Sequence, residues 1–183
     1  MQEDFEVATL ANGCFWCADA VFRRLNGISN VVSGYAGEEE KAPNYDEVAS
    51  GKTNFTEAVQ IKFDPKVISF EKILEVFWAT HDPTSKDKQG ADTGAQYRSV
   101  IYYHSPKQKE IAEKSLKIAE KDLDKRIVTD IIPFKNFHNA EEEHQNFYDR
   151  NKNSVMYCPI VIAPKIQKLL DKFNADVKDE YKN

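Results

Sequence analysis

The chain has 183 residues and a formal net charge of −5, with ordinary apolar and aromatic content. That length suits one domain, burying roughly 70% of its unfolded surface without staples. The charge argues against a nucleic-acid or anionic-membrane partner, three cysteines are too few for a secreted disulfide framework, and no apolar run approaches the ~20 residues that span a bilayer.

The N-terminus, Met1-Gln2-Glu3-Asp4, is acidic and lacks the apolar stretch of a signal peptide. A soluble protein of a reducing compartment, the cytoplasm, is expected. A precursor whose leader had been removed would read the same.

Residues 7–11 form an apolar run that reads as a strand. Gly13-Cys14-Phe15-Trp16-Cys17 follows, and then a helical pattern over 18–25 with Ala20, Val21 and Leu25 on one face. Residues 28–35 are rich in β-branched side chains and end at glycine, which predicts a second strand. Residues 36–54 are loop-like, with one helical turn over 45–50. Alternation over 56–63 predicts a half-buried strand, and Asp64-Pro65 ends it.

Ser69 caps a helix whose face carries Ile73, Leu74, Phe77 and Trp78. Residues 82–96 lack periodicity and read as a long functional or mobile loop. A strand is predicted over 97–104. Ser105-Pro106 then opens a helix to about 122. Residues 127–134 read as a strand, and an acidic-headed helix follows from Asn139 or Ala140 to about Asn151. Pro164 starts a last helix over 166–173. The tail from Asn174 is polar and expected to fray. No repeat or domain linker interrupts the order.

The chemistry centres on Cys14 and Cys17. A helix start has unpaired N–H groups and a positive dipole end, which eases thiol ionisation. Cys14 is therefore a candidate nucleophile, and two thiols three residues apart on a helix start can form a disulfide. Three other readings stand beside this one. The thiols can be buried and inert. With Cys158 and a histidine they can make a zinc set, although no second close-spaced ligand pair exists and His138 and His144 are six apart. They can also belong to a thioredoxin-like exchanger, which usually has a small pair between its cysteines. Phe15-Trp16 instead offers a bulky surface suited to a small apolar group.

Gly13-Cys14-Phe15-Trp16 resembles the signature of class A peptide methionine sulfoxide reductases, which reduce the S epimer. Further blocks resemble that family in order: Gly34-Tyr35-Ala36-Gly37, Asn44-Tyr45 before Glu47-Val48, Glu57-Ala58-Val59, His81-Asp82-Pro83-Thr84, Gln89-Gly90-x-Asp92, Gln96-Tyr97-Arg98-Ser99 and Ala140-Glu141-x-x-His144-Gln145. They span roughly residues 5–165.

The resemblance implies that Cys14 attacks the sulfoxide sulfur, Phe15 and Trp16 hold the S-methyl group, and Glu57 is the general acid. Tyr45 and Tyr97 would hydrogen-bond the oxygen, and Asp92 would orient water or substrate. The chemistry agrees, because sulfoxide oxygen leaves poorly until protonated and a glutamate under apolar neighbours keeps its proton at neutral pH. Two phenols supply preorganised donors. The resulting sulfenic acid condenses with a second thiol, Cys17 or Cys158; reach favours Cys17. Thioredoxin would reduce the disulfide, with no bound cofactor or metal implied. Substrates would be oxidised proteins or free methionine S-sulfoxide.

The expected fold is α+β: a two-layer mixed sheet of about five strands with packed helices, similar to a ferredoxin-like core with extra loops and a C-terminal segment. One catalytic domain over 1–183 is expected, with a core of about 5–173 and a polar tail over 174–183. The chain departs from the family pattern at Asn12, at the Glu38-Glu39-Glu40 run, at Ala49, and at Asn54-Phe55-Thr56, where Gly-His-Ala is usual before Glu57.

Overall fold

A computed structural model describes residues 4–182; the acidic opening residues 1–3 and residue 183 lie outside the described residues. Strand β1 (Glu6–Asn12) leads into α1 (Phe15–Phe22), then β2 (Ile28–Gly37), α2 (Tyr45–Ala49), β3 (Thr56–Phe63) and α3 (Phe70–Thr80). A short hairpin, β4 (Lys88–Gln89) and β5 (Asp92–Thr93), precedes β6 (Ser99–Tyr103), α4 (Pro106–Leu123), β7 (Asp130–Pro133) and β8 (Asn136–Asn139). Helices α5 (Phe147–Asn151) and α6 (Ala163–Phe173) close the order.

The main sheet runs β7-β6-β1-β3-β2-β8. Its four central strands lie in the order β6-β1-β3-β2, each antiparallel to its neighbours, with α1 and α3 as the crossovers. That is the ferredoxin-like βαββαβ arrangement expected from the sequence. The parallel pair β6–β7 makes the sheet mixed.

Alternation sets which side chains meet the helices. Ala8 and Leu10 of β1, Val31 and Tyr35 of β2, and Val59, Ile61 and Phe63 of β3 share a core with Phe15, Val21, Phe22, Leu74 and Phe77 of the helices. The opposite parity is small: Ala11, Ala36 and Ala58 form a thin second cluster with Val100 and Tyr102, flanked by Phe134 and Phe137. Glu57 has the parity of Val59, so it faces the helices. It pairs with Tyr35 across β2–β3.

Caps follow the sequence. Ser69 Oγ accepts from the Lys72 N–H at 3.1 Å, and Ser105 Oγ from the Gln108 N–H at 3.2 Å.

Three segments differ from the sequence reading. The helix expected from 139 or 140 to 151 is broken into strand β8, a 3₁₀ turn (Glu142–His144) and α5, with Asn146 at φ 47°. The sheet edge captures it: Gln145 Oε1 accepts from the Ser33 N–H at 2.9 Å, and its amide donates to the Ser33 carbonyl at 2.8 Å. Buried Asp19 then takes the Asn146 N–H at 3.0 Å. Tyr97 lies in a 3₁₀ turn before β6, because Gly94 at φ +143° bends the chain there. The tail is docked, not frayed. Val177 is fully buried and bridges to Leu25, the Asn26 N–H donates to the Asp176 carbonyl at 2.7 Å, and Arg24 lies over the Tyr181 ring at 4.5 Å. No helix among the described residues is long and apolar enough to cross a membrane.

Candidate active site

Strand β1 ends at Asn12, and Gly13 at φ +101° turns the chain into α1. A Cβ added at Gly13 would fall 2.7 Å from Gln89 Cγ, so both conformation and space select glycine. Cys14 occupies the N-cap, and its carbonyl accepts the Cys17 and Ala18 N–H groups at 3.1 and 3.3 Å. The first free helical N–H, that of Phe15, donates to Glu57 Oε2 at 3.0 Å. Helix start and strand β3 are thereby joined through a buried carboxyl.

Glu57 is 2% exposed, and its pKa is pushed up to about 8. Burial is the main cause, and the charges of Asp92 and Cys17 add to it. The Phe15 N–H and the Cys14 thiol, as hydrogen-bond partners, oppose it without prevailing. At neutral pH the carboxyl therefore holds its proton.

The thiols divide differently from the dipole expectation. Cys14 is pushed well up, first by burial, then by the hydrogen bond to Cys17 and the charge of Glu57. Cys17 is pushed down to about 7, mainly by the hydrogen bond with Cys14, helped by Lys165 and the Tyr157 hydroxyl. The two sulfurs titrate as a pair, with burial raising Cys14 and the shared hydrogen bond lowering Cys17. A dipole at a helix end is worth less than the desolvation of a thiol enclosed on all sides.

All the sequence-predicted residues gather here. Cys14, Cys17 and Cys158 share one buried cluster with Ala20, Ile162 and Ile166, flanked by Trp16, Tyr97 and Tyr157. All three cysteines are free. Among the described residues, no group of His, Cys, Asp and Glu is arranged to hold a metal ion. Phe15 is sealed in the main core, 5.8 Å from the Tyr35 ring, whereas Trp16 is only partly buried and stacks on Phe147 at 3.7 Å. Phe15 is thus enclosed, while Trp16 keeps part of its ring exposed.

Tyr45 starts α2, where Asn44 and Glu47 form a capping box. Its pKa is pushed up to about 12, first by burial and then by Glu57 and Cys14. Tyr97 is raised by the same causes in the same order. Both phenols therefore remain donors. Asp92, on the β4–β5 hairpin, accepts from the Tyr157 hydroxyl at 2.5 Å.

Sequence reasoning missed Tyr157, which also lies 3.8 Å from Cys17 Sγ. Its position beside Cys158 was the available signal. It also gave no role to Glu141 or Gln89, and weighed His144 only as a zinc ligand, although each stood inside a recognised block. Phe55, at the departure from the family pattern, packs on Gly37 and edge-on to His138 at 5.7 Å. A groove of about 830 Å³ lies elsewhere, between α3, α4 and α6, and carries none of the predicted residues.

The family model for peptide methionine sulfoxide reductase matches residues 6–178. The chain belongs to the peptide methionine sulfoxide reductase family. A peptide methionine sulfoxide reductase MsrA from Sulfolobus acidocaldarius is 49% identical over 168 residues, covering 92% of this chain and 95% of that protein. The reduced form of Mxr1 from Saccharomyces cerevisiae is similar in structure, with TM-score 0.81 and 35% identity over 87% of this chain and 92% of that one. Mxr1 in complex with Trx2 gives TM-score 0.58 and 27% identity, covering 80% of this chain and 87% of that one. In the reductase described here, the Cys14 helix start meets Glu57 of a later block through the Phe15 N–H.

Proposed function

We propose that Cys14 attacks the sulfur of methionine S-sulfoxide while Glu57 protonates its oxygen. Tyr45 and Tyr97 donate to that oxygen, Phe15 and Trp16 hold the methyl group, and Asp92 orders the site. The protein is a peptide-methionine (S)-S-oxide reductase recycled by thioredoxin, an activity supported by the family match, the archaeal relative and the neighbour bound to Trx2. One observation carries the roles: a buried carboxyl that keeps its proton at neutral pH lies against the Cys14 helix start.

In the first step the Cys14 sulfur bonds to the sulfoxide sulfur. Glu57 gives its proton to the oxygen, and the Cys14 proton passes along the hydrogen bond to Cys17. Oxygen then moves to Cys14. Methionine leaves, its sulfur reduced by two electrons, and Cys14 becomes a sulfenic acid, about two electrons more oxidised. Cys17 attacks that sulfenic sulfur, water leaves, and a Cys14–Cys17 disulfide forms. Cys158, in the same cluster, exchanges onto Cys17 and frees Cys14. Thioredoxin reduces the remaining disulfide. Oxidised proteins and the free amino-acid sulfoxide both present the required group. A reducing, cytoplasmic compartment suits a cycle that starts from free thiols.

The test supplies dithiothreitol and each epimer of a methionine sulfoxide peptide. Loss of the S epimer with the R epimer untouched is expected. Equal loss of both, or loss of neither, overturns the reading.

A further inference from the structure

Segment 140–147 contributes no group to the steps above, yet it holds two walls of the site. Glu141 Oε2 accepts from the Tyr35 hydroxyl at 2.7 Å, and Oε1 accepts from the Tyr45 N–H at 2.8 Å. One turn later His144 lies buried among rings. Tyr45 stacks on it at 4.4 Å and 23°, Trp16 at 5.7 Å and 22°, and Phe15 tilts against it at 5.4 Å.

The Trp16 indole N–H donates to His144 Nδ1 at 3.1 Å. An indole nitrogen only donates, so Nδ1 carries a lone pair and the neutral ring holds its proton on Nε2. Nε2 is buried and makes no hydrogen bond within the protein. The nearest carboxylates are Glu143 Oε1 at 3.8 Å and Glu141 Oε2 at 4.0 Å, both beyond hydrogen-bond distance.

We propose that His144 is a positioning residue for the reaction: its neutral ring ties Trp16, at the methyl group, to Tyr45, at the sulfoxide oxygen, as one rigid unit. The proposal rests on the functional reading above. A sulfoxide sulfur bears methyl and oxygen at a fixed angle, so the two walls must keep a fixed separation to grip both. Protonation at Nδ1 would set two hydrogens between indole and imidazole and break the link. Glu141 and Glu143, from the ring's own segment, favour protonation, but burial outweighs them and lowers the pKa. From α2 the Tyr45 phenol faces the ring, and from α1 Trp16 and Phe15 bring no charge.

Two variants separate the ring from its acceptor. His144→Phe keeps a ring against Tyr45 and removes the acceptor. His144→Asn keeps an acceptor near the Nδ1 position and removes the ring. With His144→Phe, KM for methionine S-sulfoxide is expected to rise about tenfold, with kcat within about twofold, because a lost hydrogen bond of this kind is worth about that factor. The Trp16 indole proton resonance, resolved from that of Trp78 in a Trp78→Phe background, should move to an unbonded position. In His144→Asn it should stay bonded. Acidifying the wild-type protein below the ordinary histidine range should shift the Trp16 resonance, and His144→Asn should abolish that shift.

An unchanged KM in His144→Phe overturns the proposal. So does a Trp16 resonance that ignores both His144→Phe and acid. If His144→Phe fails to fold, the wild-type titration against His144→Asn decides. A wild-type protein that reduces no sulfoxide sinks the functional reading while leaving the indole titration intact, and the positioning role falls with it.

Discussion

The Glu57 carboxyl sits on the backbone N–H of Phe15 at 3.0 Å, so the proposed acid and the helix of the proposed nucleophile share one hydrogen bond. That contact favours the carboxylate, yet burial wins and the pKa stands at about 8. Two consequences follow for Glu57→Gln. The amide can still accept from Phe15 but cannot supply a proton, so the single-turnover rate should drop ~10²–10⁴-fold. Stability moves the other way. Between the unfolded value of 4.5 and about 8, the folded carboxyl holds a proton that the unfolded chain has lost. Raising pH through that window therefore destabilises the wild type. The advantage of Glu57→Gln should grow with pH by up to about 1.4 kcal/mol per unit. Denaturant titrations at pH 5 and pH 8 check this, and an equal difference at both would sink it.

Much of this site was legible because short sequence distances fix it. Cys14, Phe15, Trp16 and Cys17 share one helix start, and alternation along β3 turns Glu57 toward the helices. The family blocks supplied the rest of the predicted set. What could not be read depended on contacts far apart in the chain. Gln145 pairs with Ser33 across 112 residues, which breaks a helix that local propensity favours. Val177 docks on Leu25 and orders a tail whose composition is polar. Cys14 is raised by enclosure, a property of the folded surroundings that no dipole argument at a helix end contains.

The cysteines make a sharper case for order. Cys17 shares a hydrogen bond with Cys14 that lowers its pKa, whereas burial pushes Cys158 up. Cys17→Ser should still reduce substrate once, more slowly because the sulfur that takes the Cys14 proton is gone, and should trap the Cys14 sulfenic acid, which a dimedone adduct would report by mass. Cys158→Ser should still form the Cys14–Cys17 disulfide and slow only the thioredoxin-driven cycle, by roughly tenfold or more. Trapping of sulfenic acid in Cys158→Ser, and not in Cys17→Ser, would reverse the assignment.

Two large apolar side chains flank Cys158 on the outside. Met156 is 70% exposed and Ile160 64% exposed, while Cys158 between them is fully buried. Exposed apolar side chains beside a recycling-thiol candidate are expected to add to contact with a protein reductant. Met156→Asp combined with Ile160→Asp should raise KM for thioredoxin about thirtyfold, since each lost apolar contact is worth about 1 kcal/mol. Turnover with dithiothreitol should be unchanged. Equal losses with both reductants would mean that the substitutions disturb the site itself.

His81 adds an acid-dependent cost to the fold. It is buried, its ring bonds the Phe77 carbonyl and the Ser99 hydroxyl at 2.5 and 2.8 Å, and Ser99 in turn meets Thr129 at 2.7 Å. A carbonyl only accepts, so Nδ1 carries the proton and Nε2 receives the Ser99 O–H. Burial pushes the pKa down to about 3, far below 6.5 for the unfolded chain. Between those values the unfolded state binds a proton that the folded state refuses. Stability from this residue is complete above pH 6.5 and declines as pH falls, by up to about 1.4 kcal/mol per unit. Glu57 contributes the opposite slope down to its unfolded value of 4.5, so the two oppose each other from 6.5 to 4.5. His81→Phe costs stability at pH 7, where Ser99 loses one partner, but removes the acid-dependent loss. Its deficit against the wild type should therefore shrink steadily between pH 6.5 and pH 4.5 in urea titrations. A deficit that stays constant across that window would show that His81 is charged in the folded protein.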